Sequence, residues 1–209
     1  MDLLNYLNEH FYSKDELLAL TKINDSELQT LQQQQVMPKA SYTIELGASC
    51  DSFFGTHIQT EHLEYYAKGY VSWIALIQTL KTKTKIYQTF SGRYANRIKE
   101  LKAQGHQSDS EKLNQQLEQH IAQEWAHFLA GTYGLCTKSG LPEDIANKEF
   151  AISEIQQLTS LKTLSEAELK QLSRAVNLLD EASALFAPHE RAASSRQRLV
   201  NEVRAQYQL

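Results

Sequence analysis

Apolar residues spaced three and four apart constrain this chain more than any other feature. Leu63, Tyr66, Ala67, Tyr70, Ile74 and Ile77 step at helical spacing, and Leu113, Leu117, Ile121, Trp125 and Phe128 make a second stripe. Ile152, Ile155 and Leu158 suggest a third, and Leu161, Leu164, Leu169, Leu172, Val176 and Leu179 continue the pattern. Such spacing gathers side chains on one helix face, which must be buried against another element. With 8 glycines and 3 prolines in 209 residues, the chain has too few turn formers for an all-β protein. The expected fold is mainly α: a small N-terminal unit over residues 1–46, packed on a bundle of about five or six helices over residues 47–209.

Helix punctuation supports this. Ser108 or Asp109 can cap a helix near residue 110, and Gly131 can end it. Pro142 followed by Glu143 and Asp144 reads as a first helical turn, where proline forfeits no hydrogen bond and acids complement the dipole. Ser165 with Glu168 reads as a capping box. Strand is expected only at residues 40–46, where Tyr42, Ile44 and Leu46 alternate with polar residues; residues 47–56 read as an irregular boundary.

Bulk charge narrows the partners. A net charge of -4, from 21 basic and 25 acidic residues, gives no general attraction to nucleic acid or anionic lipid. The longest apolar run, residues 71–77, is far too short for a membrane span. The start Met1-Asp2-Leu3-Leu4-Asn5 has neither a basic nor a long apolar region, so a cytoplasmic protein with free thiols at Cys50 and Cys136 is expected.

Residues 13–39 predict two short helices linked at Ile23-Asn24, with Leu17, Leu20, Ile23, Leu28 and Leu31 as a small core. Asn24 and Glu27 form a capping-box pattern. The positions Glu16-Leu17, Leu20-Thr21, Ile23, Leu28, Val36-Met37 and Pro38 resemble, without a gap, the helix-turn-helix that opens MerR-type regulators. That resemblance implies a second helix in the major groove and a following wing on the backbone. The chain departs from the pattern where DNA contact is made. Ser26, Gln29, Thr30 and Gln32 stand at the family's basic and tyrosine positions, and Lys22 and Gln35 at its two glycines. Lys14, Lys22 and Lys39 face Asp15, Glu16, Asp25 and Glu27, a net of -1 over residues 13–39. Because DNA affinity comes largely from neutralised phosphates, the unit is expected to serve packing or protein contact. Further on, Trp125, Phe128, Gly131-Thr132-Tyr133-Gly134-Leu135-Cys136-Thr137 and Pro142-Glu143-Asp144-Ile145-Ala146 resemble an uncharacterised bacterial family associated by name with natural-product biosynthesis. No chemistry is implied by that likeness.

Three constellations bear on chemistry. His120, Glu124 and His127, at i, i+4 and i+7, share one helix face at the flank of the apolar stripe, and Glu-x-x-His is a spacing used by metal sites in bundles. His57, Glu61 and Glu64 repeat the spacing, but as a helix they point to solvent. These residues are expected to be ordinary flank and surface polar groups, with no metal. Residues 131–140 hold three of the eight glycines. There Gly131, Tyr133, Gly134, Thr137 and Lys138 are the candidate ligand-binding residues, with loop amides and the Pro142 helix dipole to receive an anion. Cys136 is the candidate nucleophile with His127 as its base. The competing reading is a helix-to-helix turn with Cys136 and Tyr133 packed inward. Finally, residues 81–102 hold Lys81, Lys83, Lys85, Arg93, Arg97, Lys99 and Lys102 against Glu100 alone, interleaved with Tyr87, Phe90 and Tyr94. Such a mixture can hold single-stranded nucleic acid or a phosphorylated ligand, but the charges spread around the helix and favour a solvated face. The C-terminal Arg191, Arg196, Arg198 and Arg204 predict an exposed amphipathic helix.

The expected function is a non-catalytic binding or adaptor protein with a degenerate helix-turn-helix unit. The partner is a protein or a small molecule; support for nucleic acid is weak, and no membrane is expected. One alternative is a MerR-like DNA-binding regulator. Another is an enzyme of natural-product metabolism using the 131–140 loop or a metal in the bundle. Cofactor and oligomeric state are not legible at this level.

Overall fold

The computed structural model describes residues 2–209. The N-terminal part runs α1 (Asp2–His10), β1 (Phe11–Ser13), α2 (Lys14–Thr21), α3 (Asp25–Gln33), β2 (Tyr42–Ser52) and β3 (Gly55–Ala67). Reciprocal capping boxes start both short helices: Ser13 with Glu16 on α2, and Asn24 with Glu27 on α3. The chain turns between them through Lys22, in the left-handed region at φ 56. Leu17 and Leu28 are buried as expected, whereas Leu20 is 52% exposed and leaves that small core.

The three strands form an antiparallel sheet in the order β1-β3-β2. Phe11 pairs with Ala67, and Tyr42 with Tyr65. Here the structure corrects the expected strand and its boundary. The strand expected at 40–46 starts at Tyr42 and continues without interruption to Ser52, and the residues expected to be irregular form a hairpin, turning at Phe53-Phe54. The boundary after residue 46 falls inside β2. Residues 63–67 are strand, paired to β2 and β1; the end of β3 is buried on both faces, so Tyr66 and Ala67 imitate a helical stripe in register with the following helix. His57, Glu61 and Glu64 therefore lie on a strand, where alternation sends Glu64 to the opposite face from the other two.

The remainder is helical: α4 (Tyr70–Leu80), α5 (Lys83–Ala103), α6 (Glu111–Asn114), α7 (Leu117–Leu129), α8 (Thr132–Cys136), α9 (Pro142–Thr159), α10 (Glu166–Ala182) and α11 (Glu202–Tyr207). The stripe from Leu113 to Phe128 is split between α6 and α7, and the cap position of α6 is Ser110. Pro142 opens α9, and Ser165 with Glu168 closes a capping box on α10. Helix α9 packs between α5 and α10.

The core centres on Trp73, which is fully buried with Phe90, Trp125 and Phe128 around it; its ring lies 5.0 Å from that of Phe128. Its indole Nε1 donates to the carbonyl of Val36 at 2.9 Å, tying the N-terminal part to the bundle. Of the aromatics of the basic segment, Phe90 and Tyr94 are buried in the core, and Tyr87 packs half-buried against it. Arg93 grips Glu143 through two hydrogen bonds of 2.7 and 2.6 Å, and Arg97 binds Asn147 and Glu100. The C-terminal arginines are not an exposed stripe either. Arg196 and Arg204 both pair with Asp180 of α10, and Val200 and Val203 are buried. Among the described residues, no helix is long and apolar enough to cross a membrane.

Candidate functional site

The glycine-dense stretch is not an open loop. Residues 132–136 form α8, entered through Gly131 at φ 88. A side chain at Gly131 would place its Cβ 2.7 Å from the carbonyl oxygen of Ala40, so both conformation and space require glycine. The start of α9 receives its own anion: Asp144 accepts from the backbone N–H and the hydroxyl of Ser139, at 3.1 and 2.6 Å. The anion expected from outside is thus replaced by an internal one.

Of the residues expected to bind a ligand, Gly134, Thr137 and Lys138 do meet at one place. They line a cleft of about 400 Å³ where the N-terminal part, through Tyr6 and Phe11, faces α10 and the C-terminal segment. The Asp180–Arg196 pair and Ser183 complete its polar wall, and the buried Ser183 hydroxyl has no hydrogen-bond partner. Gly131 and Tyr133 do not line it. Gly131 lies against Ala40, and Tyr133 is turned the other way, its hydroxyl donating to Glu124.

Cys136 is not poised as a nucleophile. Burial pushes its thiol pKa up, and this outweighs the nearby Lys148 cation. The Lys148 ammonium is spent on the carbonyl oxygen of Cys136, at 2.8 Å. His127 is exposed and packs edge-on to Tyr133, and among the described residues no hydrogen bond joins it to Cys136.

His120 and Glu124, by contrast, are buried at 4% and 6% exposure, and a third group joins them from α9. His120 Nδ1 lies 3.6 Å from Glu124 Oε1, and ligand atoms of His120, Glu124 and Glu149 all lie within 4.8 Å of one another. Burial, reinforced by the Glu149 carboxylate, raises the Glu124 pKa to about 8, and burial lowers that of His120. His127 is the wrong third member. Seven residues along a helix is a rise of about 10 Å, too far for one ion to reach both histidines. Helical spacing does not single out Glu149, although it stands four residues after Ile145 and three before Ile152, an acid within an apolar stripe.

A different kind of surface sits at the N-terminal end. Neither α3 nor the β2–β3 hairpin contains a lysine or an arginine, while the hairpin carries Glu45, Asp51, Glu61 and Glu64. Both faces of the hairpin beyond Leu46 and Glu61 are exposed, and Phe53 and Phe54 at its tip are 98% and 95% exposed.

These features describe a helical protein with a sheet-bearing N-terminal part, an inter-unit cleft and a buried histidine–carboxylate cluster. The chain belongs to a family of unknown function, DUF6058, whose model matches residues 86–208. The match takes in the histidine–carboxylate cluster, α8 and the C-terminal wall of the cleft, and leaves residues 1–85 outside it. No curated protein matches the chain, and no solved structure does.

Proposed function

We propose that this protein is a non-catalytic, protein-binding adaptor whose residues 2–67 form a winged helix-turn-helix turned to protein contact. Two helices joined by a tight turn and followed by a hairpin beside the first strand have the layout of that motif. The backbone supports the likeness to MerR-type units. Lys22 and Gln35, which stand where that pattern has glycine, are both in the left-handed region at φ 56.

One observation carries the turn away from DNA: the second helix and the wing have no lysine or arginine to set against phosphate. Lys14, the nearest cation, is held by Asp25 at 2.5 Å and Glu64 at 3.5 Å. What the wing offers instead is an arm reaching about 20 Å past the body, from six residues per strand, with acids at its base, Asp51 along it and two exposed phenylalanines at its end. Buried aromatic anchors carry much of the energy of protein interfaces.

The test pairs two measurements on the full chain. Labelled duplex DNA of mixed sequence at low salt is expected to give no saturable anisotropy change. Affinity capture is expected to retain a partner that the Phe53→Ser/Phe54→Ser variant loses. Saturable DNA binding that is abolished by replacing Lys14, Lys22 and Lys39 returns the protein to the MerR-like regulator class. A second reading rests on the cleft, where the unpartnered Ser183 hydroxyl lies beside Gly134, Thr137 and Lys138. A small molecule seen by native mass spectrometry and lost on Ser183→Ala favours the enzyme class instead.

A further inference from the structure

We propose that His120 and Glu124 of α7, with Glu149 of α9, form a binding site for one divalent first-row transition-metal ion.

The geometry comes first. Ligands about 2.1 Å from one ion can be at most about 4.2 Å apart. The Nδ1–Oε1 separation of His120 and Glu124 is 3.6 Å and falls inside that limit. The full set spans no more than 4.8 Å, so the site closes when the Glu149 side chain turns inward by a fraction of an ångström. Glu149 is the one of the three with room to do so, being half-buried where the others are fully buried.

The imidazole supplies an independent sign of a missing partner. His120 is buried, and its Nδ1 has no hydrogen-bond partner while lying 3.6 Å from the Glu124 carboxylate. Leaving a buried nitrogen unpaired costs free energy that a coordinate bond recovers. The opposite ring nitrogen, Nε2, lies 3.0 Å from the Tyr94 hydroxyl. With Nδ1 on the ion, Nε2–H donates to Tyr94, the outer contact that holds metal-bound histidines in one tautomer. Glu124 is likewise oriented by the hydroxyl of Tyr133.

Charge and access agree. Once ionised, the two carboxylates and a neutral imidazole carry two negative charges, which a divalent cation cancels as it displaces any protons they hold. Three cations act on the carboxyl groups: Lys148, buried and donating to the carbonyl of Cys136, and Lys112 and His127, both exposed. None of the three forms an ion pair with the cluster among the described residues. His120 and Glu149 also border a cavity of about 140 Å³ with Lys112, Ser153 and Gln156, which gives the ion a way in and leaves coordination positions to water. An imidazole with two carboxylates suits zinc, iron(II), manganese(II) or cobalt(II), whereas calcium and magnesium prefer all-oxygen shells.

The test uses tag-free full-length protein stripped with chelator and titrated with Co²⁺, read by its visible ligand-field absorption, followed by Zn²⁺ competition. We expect saturation at about one equivalent, displacement by Zn²⁺, and weakening of about tenfold or more in Glu149→Gln. Tyr94→Phe is expected to weaken binding by about tenfold while leaving the stoichiometry unchanged, a result that separates an outer-sphere role from a ligand. Circular dichroism of each variant checks the fold. Should Glu124→Gln fail to fold, Glu149→Gln still decides the question, because its side chain is half-buried. No absorption change at about 1 mM Co²⁺, or binding unaltered by Glu149→Gln, overturns the proposal. In that case the cluster is a buried group of hydrogen-bonded side chains that shares protons.

Discussion

Replacing Phe53 and Phe54 together by serine separates a docking tip from a structural one. The two rings are 98% and 95% exposed, so folding covers only about 2% and 5% of them. With about 200 Å² offered by each phenylalanine, that is about 14 Å² in all. At about 25 cal/mol per Å², the burial term is only about 0.3 kcal/mol. The rings meet edge to face with centroids 5.4 Å apart, which adds about 0.5 kcal/mol at such an exposed place. The double variant is therefore expected to lose about 1 kcal/mol or less, a fall in Tm of about 2–4 °C for a chain of this size. Removing Phe90, fully buried beside Trp73, should cost about 3–5 kcal/mol by comparison. Urea melts followed at 222 nm measure the stability, and affinity capture measures the partner. Loss of capture at near wild-type stability is the expected result. A loss above about 3 kcal/mol would mean that the tip packs against something, and unchanged capture would remove it from the interface.

The remaining predictions concern the body of the protein. Burial pushes the Glu143 carboxyl up, but the forked hydrogen bonds from Arg93 outweigh it and leave the pKa below the usual range. Its folded value lies below its unfolded one, so the contribution is present above the unfolded value and vanishes as pH falls through the folded one. Glu143→Gln is expected to cost about 1 kcal/mol at pH 7, a modest figure because the side chain is 41% exposed. The gap to wild type in urea melts should close as the pH falls below about 4; a pH-independent gap would contradict the pairing. The two thiols should also differ. Cys50 lies exposed on the hairpin and Cys136 is raised in pKa by burial. A disulfide reagent at pH 7.5 should label Cys50 in the native protein well before Cys136, and rapid labelling of both would restore Cys136 as a candidate nucleophile.

Local chemistry explains what could be read in advance. The capping boxes at Asn24 and Ser165 and the proline at the start of α9 need only residues a turn apart, so they are legible in sequence and present in the fold. The hairpin is hidden for two physical reasons. Its outer half is exposed on both faces, so residues 47–52 have no reason to alternate apolar with polar. Its inner end is buried on both faces, so Tyr66 and Ala67 join the stripe of α4 by coincidence of spacing.

The same distinction runs through the histidine–carboxylate cluster. His120 and Glu124 are one helical turn apart, and the backbone alone brings them together. Glu149 arrives only because α9 packs beside α5 and α7 is seated on the same core, a relation that no spacing within one helix encodes. His127 shares the helix face but not the height along the axis, and a pattern read as angle alone loses that coordinate. An acid placed in an apolar stripe, as Glu149 is between Ile145 and Ile152, is the one local mark such a cluster leaves. It is marked because a carboxyl group stays in a buried stripe at a cost unless a partner meets it there.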